Sequence, residues 1–127
     1  MKYLVQIISN YQYIPVSNLK LVSEWYIENL GFEIVFEDPI FIELRTLSGV
    51  RIILIPNDEG KVTSHMNYSN GSQSTYGFTV SDIYAIYQQF KEKGIEVGEL
   101  SDYQGLSFGF NDPDGNKIEI WSDYPKS

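Results

Sequence analysis

Val16-Ser17-Asn18-Leu19 returns as Val80-Ser81-Asp82-Ile83, an offset of 64 residues (80 − 16). Each tetrapeptide stands where an extended run gives way to a helical one. Ser17 or Asn18 in the first copy, and Ser81 or Asp82 in the second, can cap a helix N-terminus by accepting from its unpaired N–H groups. Downstream, Leu19, Val22, Tyr26 and Leu30 fall on one helical face, and Gly31 stops the helix. Ile83, Ile86, Tyr87 and Phe90 do the same in the second copy, with Lys91 and Lys93 near the negative end of the dipole and Gly94 as the stop.

Outward from the two helices, the chain reads as strands. Tyr11 to Val16 precedes the first helix; Phe32 to Glu37, Phe41 to Arg45 and Val50 to Ile55 follow it. Thr75 to Val80 precedes the second; Ile95 to Glu99, Leu106 to Phe110 and Lys117 to Trp121 follow it. β-branched and aromatic residues fill these runs, and Asp112-Pro113-Asp114-Gly115 is a turn. The order is β-α-β-β-β, twice. Gly31 and Gly94 match at 63 residues (94 − 31), Gly49 and Gly115 at 66 (115 − 49), and Tyr26 and Phe90 at 64 (90 − 26). The expectation is an α+β chain of two tandem βαβββ modules, about 1–56 and 75–127, within a single domain 1–127. A polar connector over 57–74, rich in Asn, Ser and Gly and carrying the sole His65, would join them as a mobile linker.

Composition sets the limits. Of 127 residues, 9 are Lys or Arg and 17 are Asp or Glu, a net charge of −8, while 10 Tyr, 7 Phe and 2 Trp give an aromatic-rich core. Such an acidic chain repels phosphate backbones, so no nucleic-acid partner is expected. Cysteine is absent, which excludes disulfides and thiolate chemistry. No apolar run reaches the ~18 residues that would span a bilayer, so no membrane partner is expected and a soluble, cytoplasmic setting is. No nucleophile motif, P-loop or His-based triad is present.

Three groups of residues then carry a resemblance: Ile14-Pro15-Val16-Ser17-Asn18-Leu19 with Glu24-Trp25-Tyr26 and Leu30-Gly31-Phe32; Gly77-Phe78-Thr79-Val80-Ser81-Asp82-Ile83 with Lys93-Gly94-Ile95; and the closing Phe108-Gly109-Phe110-Asn111-Asp112-Pro113-Asp114-Gly115-Asn116-Lys117-Ile118-Glu119-Ile120-Trp121. In this order they resemble the vicinal oxygen chelate superfamily of glyoxalases, bleomycin-resistance proteins, extradiol dioxygenases and fosfomycin-modifying enzymes. The resemblance implies that the two mixed sheets form a cup around a ligand. It also implies four positions where metal-using members place ligands, which align to Tyr11, Ile53, Thr75 and Glu119. Only Glu119 is a good divalent-metal donor. The sequence is therefore closest in character to metal-free, bleomycin-resistance-like members. No cofactor is expected, although Glu119 leaves a divalent metal open.

Strand alternation divides the side chains between two faces. Ile14, Val16, Ile52, Leu54, Phe78, Val80, Ile118 and Ile120 should face the helices. Tyr11, Tyr13, Arg51, Ile53, Thr75, Lys117, Glu119 and Trp121 should line the cup. All of these but Ile53 are the candidate ligand-binding residues. Glu119 is the best catalytic candidate, with a salt bridge to Arg51 or Lys117 as its alternative role; Glu43 and Arg45 would pair across strands on a wet face. The first functional expectation is a metal-independent protein that sequesters a planar or cationic small molecule, as a homodimer by resemblance. The alternatives are a divalent-metal-dependent lyase, isomerase, dioxygenase or thiol transferase, and a non-catalytic structural or regulatory dimer.

Overall fold

The computed structural model describes residues 4–57, 65–103 and 105–122. The chain divides into two compact units, Met1–Asp58 and Glu59–Ser127. The first holds β1 (Gln12–Val16), α1 (Leu19–Leu30), β2 (Glu33–Glu37), β3 (Ile42–Arg45) and β4 (Arg51–Pro56). The second holds β5 (His65–Tyr68), β6 (Gly71–Ser74), β7 (Gly77–Thr79), α2 (Ile83–Glu92), β8 (Ser101–Asp102), β9 (Leu106–Asn111) and β10 (Lys117–Trp121).

The repeat is realised in topology. One sheet runs β1-β4-β3-β2 and the other β7-β10-β9-β8. In each, the last strand pairs parallel with the strand before the helix and antiparallel with the strand before itself, so both sheets are mixed. The caps form where their side chains suit them. Asn18 Oδ1 accepts from the Leu21 N–H at 3.0 Å, and Asp82 Oδ1 from the Ala85 N–H at 3.2 Å. Gly31 and Gly94 leave their helices at φ 73° and 78°, a conformation that disfavours residues with a Cβ.

Each unit has its own core. Ile14, Val16, Ile42, Leu44, Ile52 and Leu54 are buried with Val22 and Tyr26 of α1. In the second unit Phe108, Phe110, Ile118 and Ile120 are buried with Ile83 and Phe90 of α2, and the Phe90 ring meets Phe110 edge-on at 5.1 Å. Burying one such side chain contributes about 1.5–3 kcal/mol, which makes these faces the main restraint on register. Phe78 and Val80 are only partly buried, because β7 ends at Thr79 and leaves them near the rim of the sheet.

Three expectations are corrected. Ile95 to Glu99 is not a strand: only Val97 makes an isolated bridge, to Phe110, and β8 lies further on at Ser101–Asp102. Gly94 and Gly98 supply no side chains to pack there, which weakens a strand. Tyr11 lies one residue before β1, and Thr75 sits in a bend rather than on the strand before α2. The stretch 57–74 is not simple linker. Its described part, from His65, is a β5–β6 hairpin closed by Ser69 and Asn70, with Tyr68 opposite Gly71.

Candidate functional site

The helix-free face of the first sheet carries Tyr11, Tyr13, Glu43, Arg45 and Arg51. The Tyr11 and Tyr13 rings meet edge-on, with centroids 5.2 Å apart. Arg51 lays its guanidinium 5.6 Å over the Tyr11 ring, a cation–π contact. Its Nε donates to Glu43 Oε2 at 2.7 Å, and Arg45 Nη2 donates to the same oxygen at 3.2 Å. Glu43 and Arg45 lie on one strand, so the cross-strand partner of Glu43 is Arg51 and not Arg45. The Arg51 hydrogen bond holds the Glu43 carboxyl below its usual range and Arg51 above its own. Hydrogen bonding with Tyr11 raises the Tyr13 hydroxyl. Ile53, expected to line an open face, is 8% exposed and packs as core. The cation here is held by Glu43 and by Tyr11, while the Tyr11 and Tyr13 rings stay half exposed.

The second unit is built differently. Glu119 lies in register with Gly77 on one side and Gly109 on the other. Gly109 opens a hollow beside the carboxylate, while Gly77 makes room for the Glu119 stem itself. Gly77 is required: a Cβ there would lie 2.6 Å from Glu119 Cγ, closer than such atoms approach. Among the described residues of its own unit the half-buried Glu119 carboxylate has no hydrogen bond or ion pair, so Lys117 is not its partner. Lys117 turns away, its Nζ donating to the Ser72 carbonyl at 3.4 Å and to Ser72 Oγ at 3.3 Å. The Lys117 N–H donates to His65 Nδ1 at 3.2 Å. β7 starts too late to take that N–H, since Glu119 pairs with its first residue, Gly77; the hairpin's imidazole supplies the acceptor instead.

The hollow of about 180 Å³ is lined by Glu119 and Lys117, by Ser72, Gln73 and Ser74 of β6, by Glu99 and Ser101, and by Ser107 to Gly109 of β9. A second hollow of about 240 Å³ shares Gly109 and Lys117 and is bounded by Glu96. Of the expected site residues, Lys117 and Glu119 meet here. Trp121 lies two positions along β10, Thr75 is exposed in its bend, and Tyr11, Tyr13 and Arg51 belong to the other unit. The β6 serines, Gln73 and Glu99 were missed. For the hairpin residues the sole local signal is the turn-forming run Ser69-Asn70-Gly71, and Glu99 has none.

A family model described as the Glyoxalase/Bleomycin resistance protein/Dioxygenase superfamily matches residues 7–120. The chain belongs to that superfamily. Biphenyl-2,3-diol 1,2-dioxygenase 3 of Rhodococcus globerulus is 29% identical over 115 residues, which is 87% of this chain but 60% of that protein. The chain thus spans about three fifths of that relative's length. The bleomycin-binding protein of Streptomyces verticillus, solved with copper(II)-bleomycin, superposes with a TM-score of 0.71 at 17% identity, over 94% of this chain and 99% of that one. An antibiotic-binding protein of Streptomyces sp. CB03234 gives 0.72 at 17% identity, over 94% and 98%. These two superpositions show a shared fold.

The superfamily's metal-using members need several converging donors. At the four aligned positions this chain offers a phenol, a buried alkyl side chain, an exposed hydroxyl and one carboxylate (Tyr11, Ile53, Thr75 and Glu119). Among the described residues no three His, Cys, Asp or Glu side chains form a set that could hold a metal ion. This donor set does not fit a divalent transition metal. No described helix is long and apolar enough to cross a membrane.

Proposed function

We propose that this superfamily member binds a small cationic molecule without a metal, in the hollow above Glu119. The observation that supports the reading most is the partnerless, half-buried carboxylate between two glycines. The carboxylate oxygens keep access to solvent, so the anion is available to a ligand cation entering the hollow, which would bind it through charge-assisted hydrogen bonds. The names of the bleomycin-binding and antibiotic-binding relatives add support for a sequestering role.

The test is a titration of ¹⁵N-labelled protein with a panel of cationic, neutral and anionic small molecules. It is run with and without a chelator, with elemental analysis of protein incubated with iron, manganese and zinc. Saturable shifts centred on Gly77, Gly109 and Lys117, unchanged by chelator, are expected. Stoichiometric metal on which binding depends would establish instead the dioxygenase-like alternative suggested by the Rhodococcus relative. A panel that moves no resonance there overturns the reading outright.

A further inference from the structure

The hollow beside Glu119 lacks the ring walls that stacking a planar ligand would need. Phe108 borders it, but the Phe108 ring is buried against α2, its centroid 4.9 Å from Tyr87 and 5.9 Å from Phe90. What the hollow presents is hydroxyl and charge. Ser74, Ser101 and Ser107 bring hydroxyls, each able to donate and accept, and Glu99 and Glu119 bring two carboxylates. Within this unit, among the described residues, neither these hydroxyls nor these carboxylates have a protein partner, and Glu99 and Ser101 are exposed. Among the described residues Lys117 is the only cation that lines it. Two of its three N–H donors go to Ser72, which leaves one for a ligand acceptor. The balance is two carboxylates against one ammonium, in a space of about 180 Å³. That is smaller than the roughly 300–1,000 Å³ of pockets that enclose drug-sized ligands.

Resting on the binding reading above, we infer that the ligand, or the part of it held here, is a compact hydroxylated amine: an amino alcohol or a single amino-sugar ring. Its ammonium pairs with Glu119 and Glu99. Its hydroxyls bond the serines, and one of them accepts from Lys117. The β5–β6 hairpin forms one wall, fastened to β10 through His65 and Ser72.

Three probes that share a ring and differ in charge test this: glucosamine, N-acetylglucosamine and glucose, titrated into ¹⁵N-labelled protein. Glucosamine should shift the Gly77, Ser107, Gly109 and Lys117 amides saturably and bind at least about tenfold tighter than the two uncharged sugars, as a charge-assisted hydrogen bond warrants. Glu119→Gln should remove most of that preference, and Gly109→Val should block all three by filling the hollow. The comparison of probes on the unaltered chain needs no variant, so a misfolded variant leaves the test intact. Equal binding of charged and uncharged sugars overturns the ammonium assignment. Shifts at these amides from planar cations, with none from glucosamine, overturn the ligand class and leave the binding reading standing. Silence from every compound overturns both.

Discussion

Glu43 shows how one side chain can order its neighbours on a face of the sheet. A single carboxylate oxygen accepts from Arg51 and Arg45, and Arg51 then covers Tyr11. Its folded-state pKa is depressed, chiefly by the Arg51 hydrogen bond. A depressed carboxyl pKa stabilises the fold at pH values above the unfolded carboxyl pKa, and that contribution disappears as pH falls through the folded value. Glu43→Gln is therefore expected to lower the urea midpoint at neutral pH. The gap to the unaltered chain should close steadily as pH drops below the usual carboxylate range. A gap that stays constant from neutral pH into that acid range would mean that the ion pairs contribute nothing. The pairing itself was not legible in the sequence. Glu43 and Arg51 are eight residues apart, and only the β3–β4 register, with Glu43 opposite Ile53 and Arg45 opposite Arg51, makes them diagonal neighbours.

The turn between β9 and β10 places the whole floor of the hollow. Asp112, only 5% exposed, accepts at Oδ1 from the Asp114 and Asn116 N–H groups, both at 2.9 Å, and at Oδ2 from Asn116 Nδ2 at 2.8 Å. Gly115 turns the chain at φ 79°. Asp112→Ala leaves those donors without their acceptor and should cost about 2 kcal/mol or more, read as a lower midpoint in equilibrium unfolding; a loss within ±0.5 kcal/mol, ordinary for a surface change, would refute the role. This element was readable in advance because its signals are local: an Asx side chain, a proline and a glycine within four residues. The helices were readable for the same reason, through period and caps. The β5–β6 hairpin was not, beyond its turn residues. Its residues are polar and its strands short, so it has no hydrophobic alternation to announce it, and its docking depends on Lys117, 52 residues from His65. The hollow was half legible. Glu119 stood out as the one carboxylate at an aligned position, but its isolation comes from Gly77 and Gly109, which only strand register brings to its sides.

Across the whole molecule, the net charge of −8 acts on any ligand before contact is made. A cation approaching the Glu119 hollow is attracted by the summed field as well as by two local carboxylates, and the long-range part is screened by salt. The screening length falls from about 30 Å at 0.01 M ionic strength to about 10 Å at 0.1 M, so distant carboxylates stop contributing while Glu119 and Glu99, in direct contact, largely persist. Glucosamine affinity should accordingly weaken several-fold between 0.01 M and 0.2 M sodium chloride and then level off at the contact contribution. The uncharged sugars provide the control, with no slope expected. Adding Glu99→Gln should lower the whole curve while keeping its slope, because one carboxylate among the 17 acidic residues changes the distant field little but removes a contact. An affinity independent of salt from the outset would assign all of the attraction to contact and leave the acidic surface with solubility as its role.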